Sequence, residues 1–113
     1  MNAIKNKVQL IGNLGMNPDV RTLEGGKKMA RISLATSETY NNAKGEKVTE
    51  TFWHNVVAWG KTAEIAEKLL VKGTEVAIEG KLVNRTYTDK SGEKKYITEV
   101  VANELLVLTK KKA

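Results

Sequence analysis

Cysteine is absent from the chain, which excludes disulfide staples, thiolate catalysis and cysteine-held zinc or iron–sulfur clusters and fits a reducing cytoplasm. Histidine occurs once, at His54, and aspartate only at Asp19 and Asp89 in turn-like contexts, with the glutamates scattered singly. No acid–base pair, nucleophile–base pair or metal cage emerges from such a set, so an enzyme is the least favoured class and neither a metal nor a cofactor is expected. Long apolar runs are missing too. Nothing approaches the ~20 residues of a membrane helix, and the N-terminus lacks the apolar stretch of a signal peptide, so no membrane partner is expected. Against 19 Lys and Arg stand 13 Asp and Glu, a net charge of +6 within 113 residues. That length suits one domain spanning residues 1–113, and the positive field favours polyanionic partners.

What is present alternates. Val8, Leu10 and Leu14 interleave with Lys7, Gln9 and Asn13, the period-two pattern of a strand buried on one side. Gly12, Gly15, Asn17 and Pro18 then mark a bend before Val20 and the Gly25-Gly26 turn. Ala30, Ile32 and Leu34 define a second strand. The polar stretch from Glu38 to Lys47 reads as a long flexible loop carrying Tyr40, Lys44 and Lys47. Thr49 to Trp59 reads as strand three. At Gly60 the period changes, with Ile65, Ala66, Leu69 and Leu70 at helical spacing, Thr62 as N-cap and Gly73 as the stop just past the helix. Val76, Ile78 and Leu82 define strand four, broken near Asp89-Lys-Ser-Gly92, and Lys95 to Leu108 gives strand five. Three strands, one short helix and two strands match an all-β class, the OB-fold: a five-stranded Greek-key barrel with its helix between strands three and four.

The chemistry concentrates on two strands. Trp53 and Trp59 are an even number of residues apart, so both indoles project from one face. Lys81, Arg85 and Tyr87 share a face of strand four, opposite Val76, Ile78 and Leu82. Unpaired bases offer π-faces and the backbone a regular row of phosphates, and aromatic platforms interleaved with cations answer both. Aromatics are more often core than functional. Here the inward sets already supply Val8, Leu10, Ile32, Leu34, Val56, Val76, Ile78 and Leu82, and a small barrel has little room for two more indoles. Lysines taken singly are more often solvated than ligating; Lys7, Arg21, Lys61, Lys81 and Arg85 stand out by their neighbours. His54 faces away from the tryptophans, toward packing or a subunit contact.

Asn6-Lys-Val, Gly12-Asn-Leu-Gly followed by Asn17-Pro-Asp-Val-Arg21, Leu34-Ala-Thr-Ser-Glu-Thr-Tyr40, Trp53-His-Asn-Val-Val-Ala-Trp-Gly-Lys61 and Ile78-Glu-Gly-Lys-Leu82 together resemble the bacterial single-stranded DNA-binding proteins. The likeness runs through nearly the whole chain, with five motifs in order. It implies a non-enzymatic homotetramer of OB-folds that protects single-stranded DNA, with little sequence preference, in replication, recombination and repair, within the nucleoid-associated cytoplasm. It implies base stacking on Tyr40, Trp53, Trp59 and Tyr87 and phosphate contacts from Lys7, Arg21, Lys61 and Arg85; beside them Lys44, Lys47 and Lys81 are expected to contact phosphates and His54 to lie at a subunit interface. Tyr40 and Tyr87 stand where the family usually has tryptophan, and Trp59 where it has phenylalanine. Asn55, Val83 and Thr86 fall where relatives often carry a base, implying a thinner phosphate track. The family normally continues into a disordered linker with an acidic tip that recruits replication and repair enzymes. Here the last residues are Thr109-Lys-Lys-Lys-Ala113, basic instead, so recruitment through such a tip is not expected.

Two other readings share the basic and aromatic faces. An OB-fold RNA or tRNA binder would need contacts to the 2′-hydroxyl. A structural or primosome-like accessory subunit would use the barrel mainly to pair with protein. Competition between DNA and RNA strands separates the first, and partner loss on mutating Trp53 and Trp59 the second.

Overall fold

The computed structural model describes residues 3–108, and the basic C-terminal segment from Thr109 lies outside the described residues. A 3-10 turn at Ala3–Asn6 precedes β1 (Val8–Leu14), β2 (Asp19–Thr22), β3 (Lys28–Asn41), β4 (Lys47–Trp59), α1 (Lys61–Leu69), β5 (Glu75–Thr88) and β6 (Lys94–Val107). The barrel strands run in the order β1-β5-β6-β4-β3, and β3 returns to β1 through Asn13↔Ala35 and Leu14↔Leu34. The closing seam between β4 and β6 is parallel, with Val56 beside Val100 and Val57 beside Val101. The expected all-β barrel, with its helix between the third and fourth barrel strands, is the one observed. The four-residue β2, not anticipated as a strand, is added to the outer edge of β3.

Alternation builds the core directly. Leu14, Ala30, Ile32, Leu34, Val56, Ala58, Val76, Ile78, Val100 and Ala102 point inward and are nearly sealed from water. Burying each of the larger ones stabilises the fold by roughly 1.5–3 kcal/mol relative to exposure. α1 caps the barrel through Ala63 and Ala66, with Leu70 filling the core just past its end. The helical spacing located this helix but misread its contacts: Ile65 and Leu69 stay exposed, because two alanines let the helix backbone approach the strands closely. The N-cap is Gly60, whose φ of 57° carries the chain sharply from β4 into the helix, so Thr62 lies inside the first turn. The helix stops at Leu69, since Leu70 extends to fill the core; Gly73 belongs to the following turn, where its φ of 89° lets its N–H reach the Leu14 carbonyl.

Beyond the barrel, β3–β4 and β5–β6 continue as two long ribbons, and the radius of gyration is 16.3 Å. A compact domain of this length has about 13 Å. The stretch expected as a flexible loop, Glu38 to Lys47, is instead half paired strand, at Glu38 to Asn41 and Lys47, closed by a turn over residues 42–46. Asn42 Oδ1 accepts the N–H groups of Lys44 and Glu46 at 2.9 and 3.0 Å, and Gly45 has φ +77°. The other ribbon repeats this chemistry: Asp89 Oδ1 accepts from Ser91 N–H, Ser91 Oγ–H and Glu93 N–H, and Gly92 has φ +85°. These bonds hold the Asp89 carboxyl below its ordinary pKa. A bulge at Glu79/Gly80 starts the second ribbon's departure, where any side chain on Gly80 would strike the Val101 carbonyl. Leu82, expected in the core, lies past that bulge and is exposed, its backbone bracketed by the Asn6 side-chain amide.

Candidate nucleic-acid interface

Because Val56 and Ala58 fill the core, the odd residues of β4 face outward in one row: Trp53, Asn55, Val57 and Trp59. Across the ladder stand Ala35, Ser33, Arg31 and Met29. Small partners opposite Trp53 leave its indole uncovered, and it is 61% exposed. The six-membered edge of its ring rests on the backbone of Gly15, where even one methyl group would collide with it. Backbone on one side and solvent on the other make a one-sided platform suited to a base. Trp59, at the strand end, is half-buried beside the buried Met29, and the Lys27 ammonium sits 4.9 Å from its ring centroid. Both tryptophans thus share the expected face, with only Trp53 fully open.

Next to this row, Lys81, Val83, Arg85 and Tyr87 project from β5 opposite Val101, Glu99, Ile97 and Lys95 of β6. Tyr87 is exposed. Arg85 donates through Nε and Nη2 to both oxygens of Glu99, at 2.7 and 2.9 Å, which raises the guanidinium pKa above its ordinary value. From β3, Arg31 reaches the same carboxylate at 3.4 Å. Lys81 and Lys61, the latter at the helix start, are exposed.

The remaining expected residues are dispersed. Tyr40 pairs with Val48, so it lies on the opposite face of the β3–β4 ribbon from Trp53, its hydroxyl donating to Glu50 at 2.5 Å. That bond raises the Tyr40 pKa, with a smaller contribution from burial. Lys47 falls on the Trp53 side, and Lys44 lies in the turn. Arg21, on β2, is opposite Met29 and hence in the cross-strand row of Trp59, 3.4 Å from Asp19. Lys7 is elsewhere: it pairs with Glu79 at 2.9 Å beside Gln9, and its hydrogen bond holds the Glu79 carboxyl below its usual pKa. His54 donates to or accepts from Thr36 Oγ1 at 2.9 Å and lines a shallow groove with Leu10, Ile11 and Phe52. Among the described residues, no group of three or more His, Cys, Asp or Glu side chains is placed to hold a metal ion.

Sequence reasoning missed Lys27, Arg31 and Glu99, and also Tyr96, which is 75% exposed near the end of the second ribbon. The parity of Arg31 on strand two pointed outward, toward the tryptophan row. Only the register of β6 brings Glu99 to it.

The profile of the single-strand binding protein family matches residues 5–108. The chain is 45% identical over 107 residues to single-stranded DNA-binding protein 1 of Xylella fastidiosa, covering 94% of this chain and 79% of that one. A namesake from Chlorobaculum tepidum is 44% identical over 104 residues, covering 91% and 64% respectively. Among solved structures, a Plasmodium falciparum SSB in complex with ssDNA superposes with a TM-score of 0.84 at 34% identity, covering 92% of this chain and 95% of that one. A deletion mutant of the Thermus aquaticus single-stranded DNA-binding protein gives 0.80 at 34% identity, covering 92% and 50%. With the profile spanning almost every described residue, and an outward tryptophan row on a Greek-key barrel, the chain belongs to the single-strand binding protein family.

Proposed function

We propose that this chain binds and shields single-stranded DNA on the outward face formed by β3, β4, β6 and β5, stacking bases on Trp53 first, and on Trp59 and Tyr87 beside it. Arg21, Lys47, Lys61, Lys81 and the outer N–H groups of Arg85 neutralise phosphates, and Tyr40 and Lys44 extend the path around the β3–β4 ribbon. Membership of a family of binding proteins assigns no chemical step to the chain, and its work is protection of exposed strands in replication, recombination and repair at the nucleoid. The observation that carries the reading is the Trp53 indole, large, apolar and 61% exposed, seated on glycine backbone. An apolar ring of that size left in water is poised for a partner. Tryptophan emission followed during titration with oligo-dT, at low and high salt, tests it. Quenching that weakens with salt and persists against duplex DNA and RNA competitors supports it. Flat emission with no complex at low salt overturns it, and preference for the RNA competitor moves the ligand to RNA.

Homotetramer assembly is the second reading, on another part of the barrel. On its β3 side β1 is paired only at Asn13 and Leu14 among the described residues, and Gly12 is buried against the Ala35 carbonyl, leaving Val8 to Ile11 as an open strand edge. Unpaired edges add strands from other chains. Ile11 and Leu106, 61% and 63% exposed, lie outward next to it and line an open groove of about 800 Å³ with Ile65. Phe52 and His54 border the edge from the ribbon. Sedimentation equilibrium at the mass of four chains supports the assembly, and a monomer at micromolar concentration overturns it.

A further inference from the structure

We propose that Glu99 is a resident competitor for the phosphates of the bound strand, limiting two arginines of the stacking face to a single net positive charge. This rests on the reading of that face as the single-stranded DNA site. Glu99 is the buried carboxylate among the described residues, its side chain only 4% exposed, yet its strand position directs it to the outward face. It stands two residues before Val101, the neighbour of Val57, and so close to the Trp53–Trp59 row. Arg85 comes to it from β5 and Arg31 from β3, and the two arginine side chains, 49% and 45% exposed, cover it from both sides.

The geometry decides what these arginines have left to give. A guanidinium holds a phosphate best through two parallel N–H groups on one edge. Arg85 already spends its Nε and Nη2 edge on Glu99. A phosphate that took that edge would leave a nearly sealed carboxylate with only the longer Arg31 contact, at 3.4 Å, which is unfavourable. The pair therefore persists in the complex, and the strand meets only the solvent-facing N–H groups. Two cations over one anion leave one charge for phosphates. Glu99 thereby fixes the affinity and the salt sensitivity of the grip, in trade for holding the arginines in place.

The test is the salt dependence of oligo-dT binding by the wild-type chain, Glu99→Gln, Arg31→Gln and the double variant, with folding checked by circular dichroism. Each charge neutralised on a single strand contributes about 0.7 to the slope of log affinity against log salt. Glu99→Gln is expected to bind severalfold tighter at low salt with a slope steeper by about 0.7, so its advantage shrinks about fivefold per tenfold rise in salt. Arg31→Gln is expected to be shallower by about 0.7 and the double variant to return to the wild-type slope. Should Glu99→Gln fail to fold alone, the double variant against Arg31→Gln carries the same comparison. Equal slopes in that comparison, or a folded Glu99→Gln that binds no tighter than wild type, overturn the proposal while leaving the DNA site intact. A wild-type chain that binds no oligo-dT overturns both.

Discussion

Trp53 on β4 and Ile11 on β1 are equally exposed, at 61% each, and both point outward from the same barrel, yet their surroundings differ in kind. Around Trp53 lie glycine backbone and small partners, and farther along its row, opposite Val57, stands Arg31 of the cluster of arginines on a carboxylate. Around Ile11 lie other aliphatics, an open strand edge and the Lys7–Glu79 pair. Exposure alone does not tell a ligand site from a subunit site; the neighbours do. A flat π-face beside cations suits bases and phosphates. A branched aliphatic beside unpaired backbone groups suits another polypeptide.

The largest test of this contrast is Trp53→Ala. Loss of one stacked base should weaken oligo-dT binding by about 1–3 kcal/mol, roughly 5- to 150-fold, read by fluorescence anisotropy. The melting temperature should hardly move, because the ring covers little core. Smaller is Gly15→Val, which leaves the indole in place chemically but lifts it from its seat. Binding should weaken less than in Trp53→Ala, and tryptophan emission of the free protein should change, whereas an unaltered spectrum would mean the ring does not rest there. Ile11→Asp should do the converse: the mass by light scattering should fall below that of four chains, while affinity for a strand short enough for one barrel stays as in wild type. If that affinity collapses instead, the two regions are one. The smallest effect concerns the ribbon between them. Tyr40 has its pKa raised above 10.0 by Glu50, so their hydrogen bond is fully present below the ordinary tyrosine pKa and is lost as pH rises through the elevated one. A phenolate absorbance titration should place the Tyr40 step above the ordinary tyrosine pKa, and Glu50→Gln should lower that step.

The barrel and its helix were legible because alternation marks strands wherever one face is buried, as at Ala30, Ile32 and Leu34. The ribbons were less so. From Glu38 to Lys47 both faces meet solvent, so no apolar alternation announces the pairing that joins Thr39 to Thr49. The turn was nonetheless written in the residues: Asn42-Ala-Lys-Gly45 repeats the Asp89-Lys-Ser-Gly92 pattern already read as a break. Helix contacts were misjudged because helical spacing identifies a stripe without saying which part of it touches the sheet, and alanines at 63 and 66 outcompeted Ile65 for that place. Trp53, Trp59, Arg85 and Tyr87 followed from strand parity. Glu99 did not, since its meeting with Arg31 crosses strands far apart in the chain, and Lys7, read as a phosphate contact, lies with Glu79 on the β1 side.

The two ribbons leave the barrel after Gly80 and Thr36 and carry almost none of the sealed core. Substitutions along them escape the close-packing rules that restrain the barrel. Tyr40 and Tyr87 sit there, where the resemblance leads one to expect tryptophan, and each exchange alters ring size without touching a buried contact. Selection can therefore retune the length of strand held and the tightness of the hold, lineage by lineage, on a scaffold whose foldability stays out of reach of those changes.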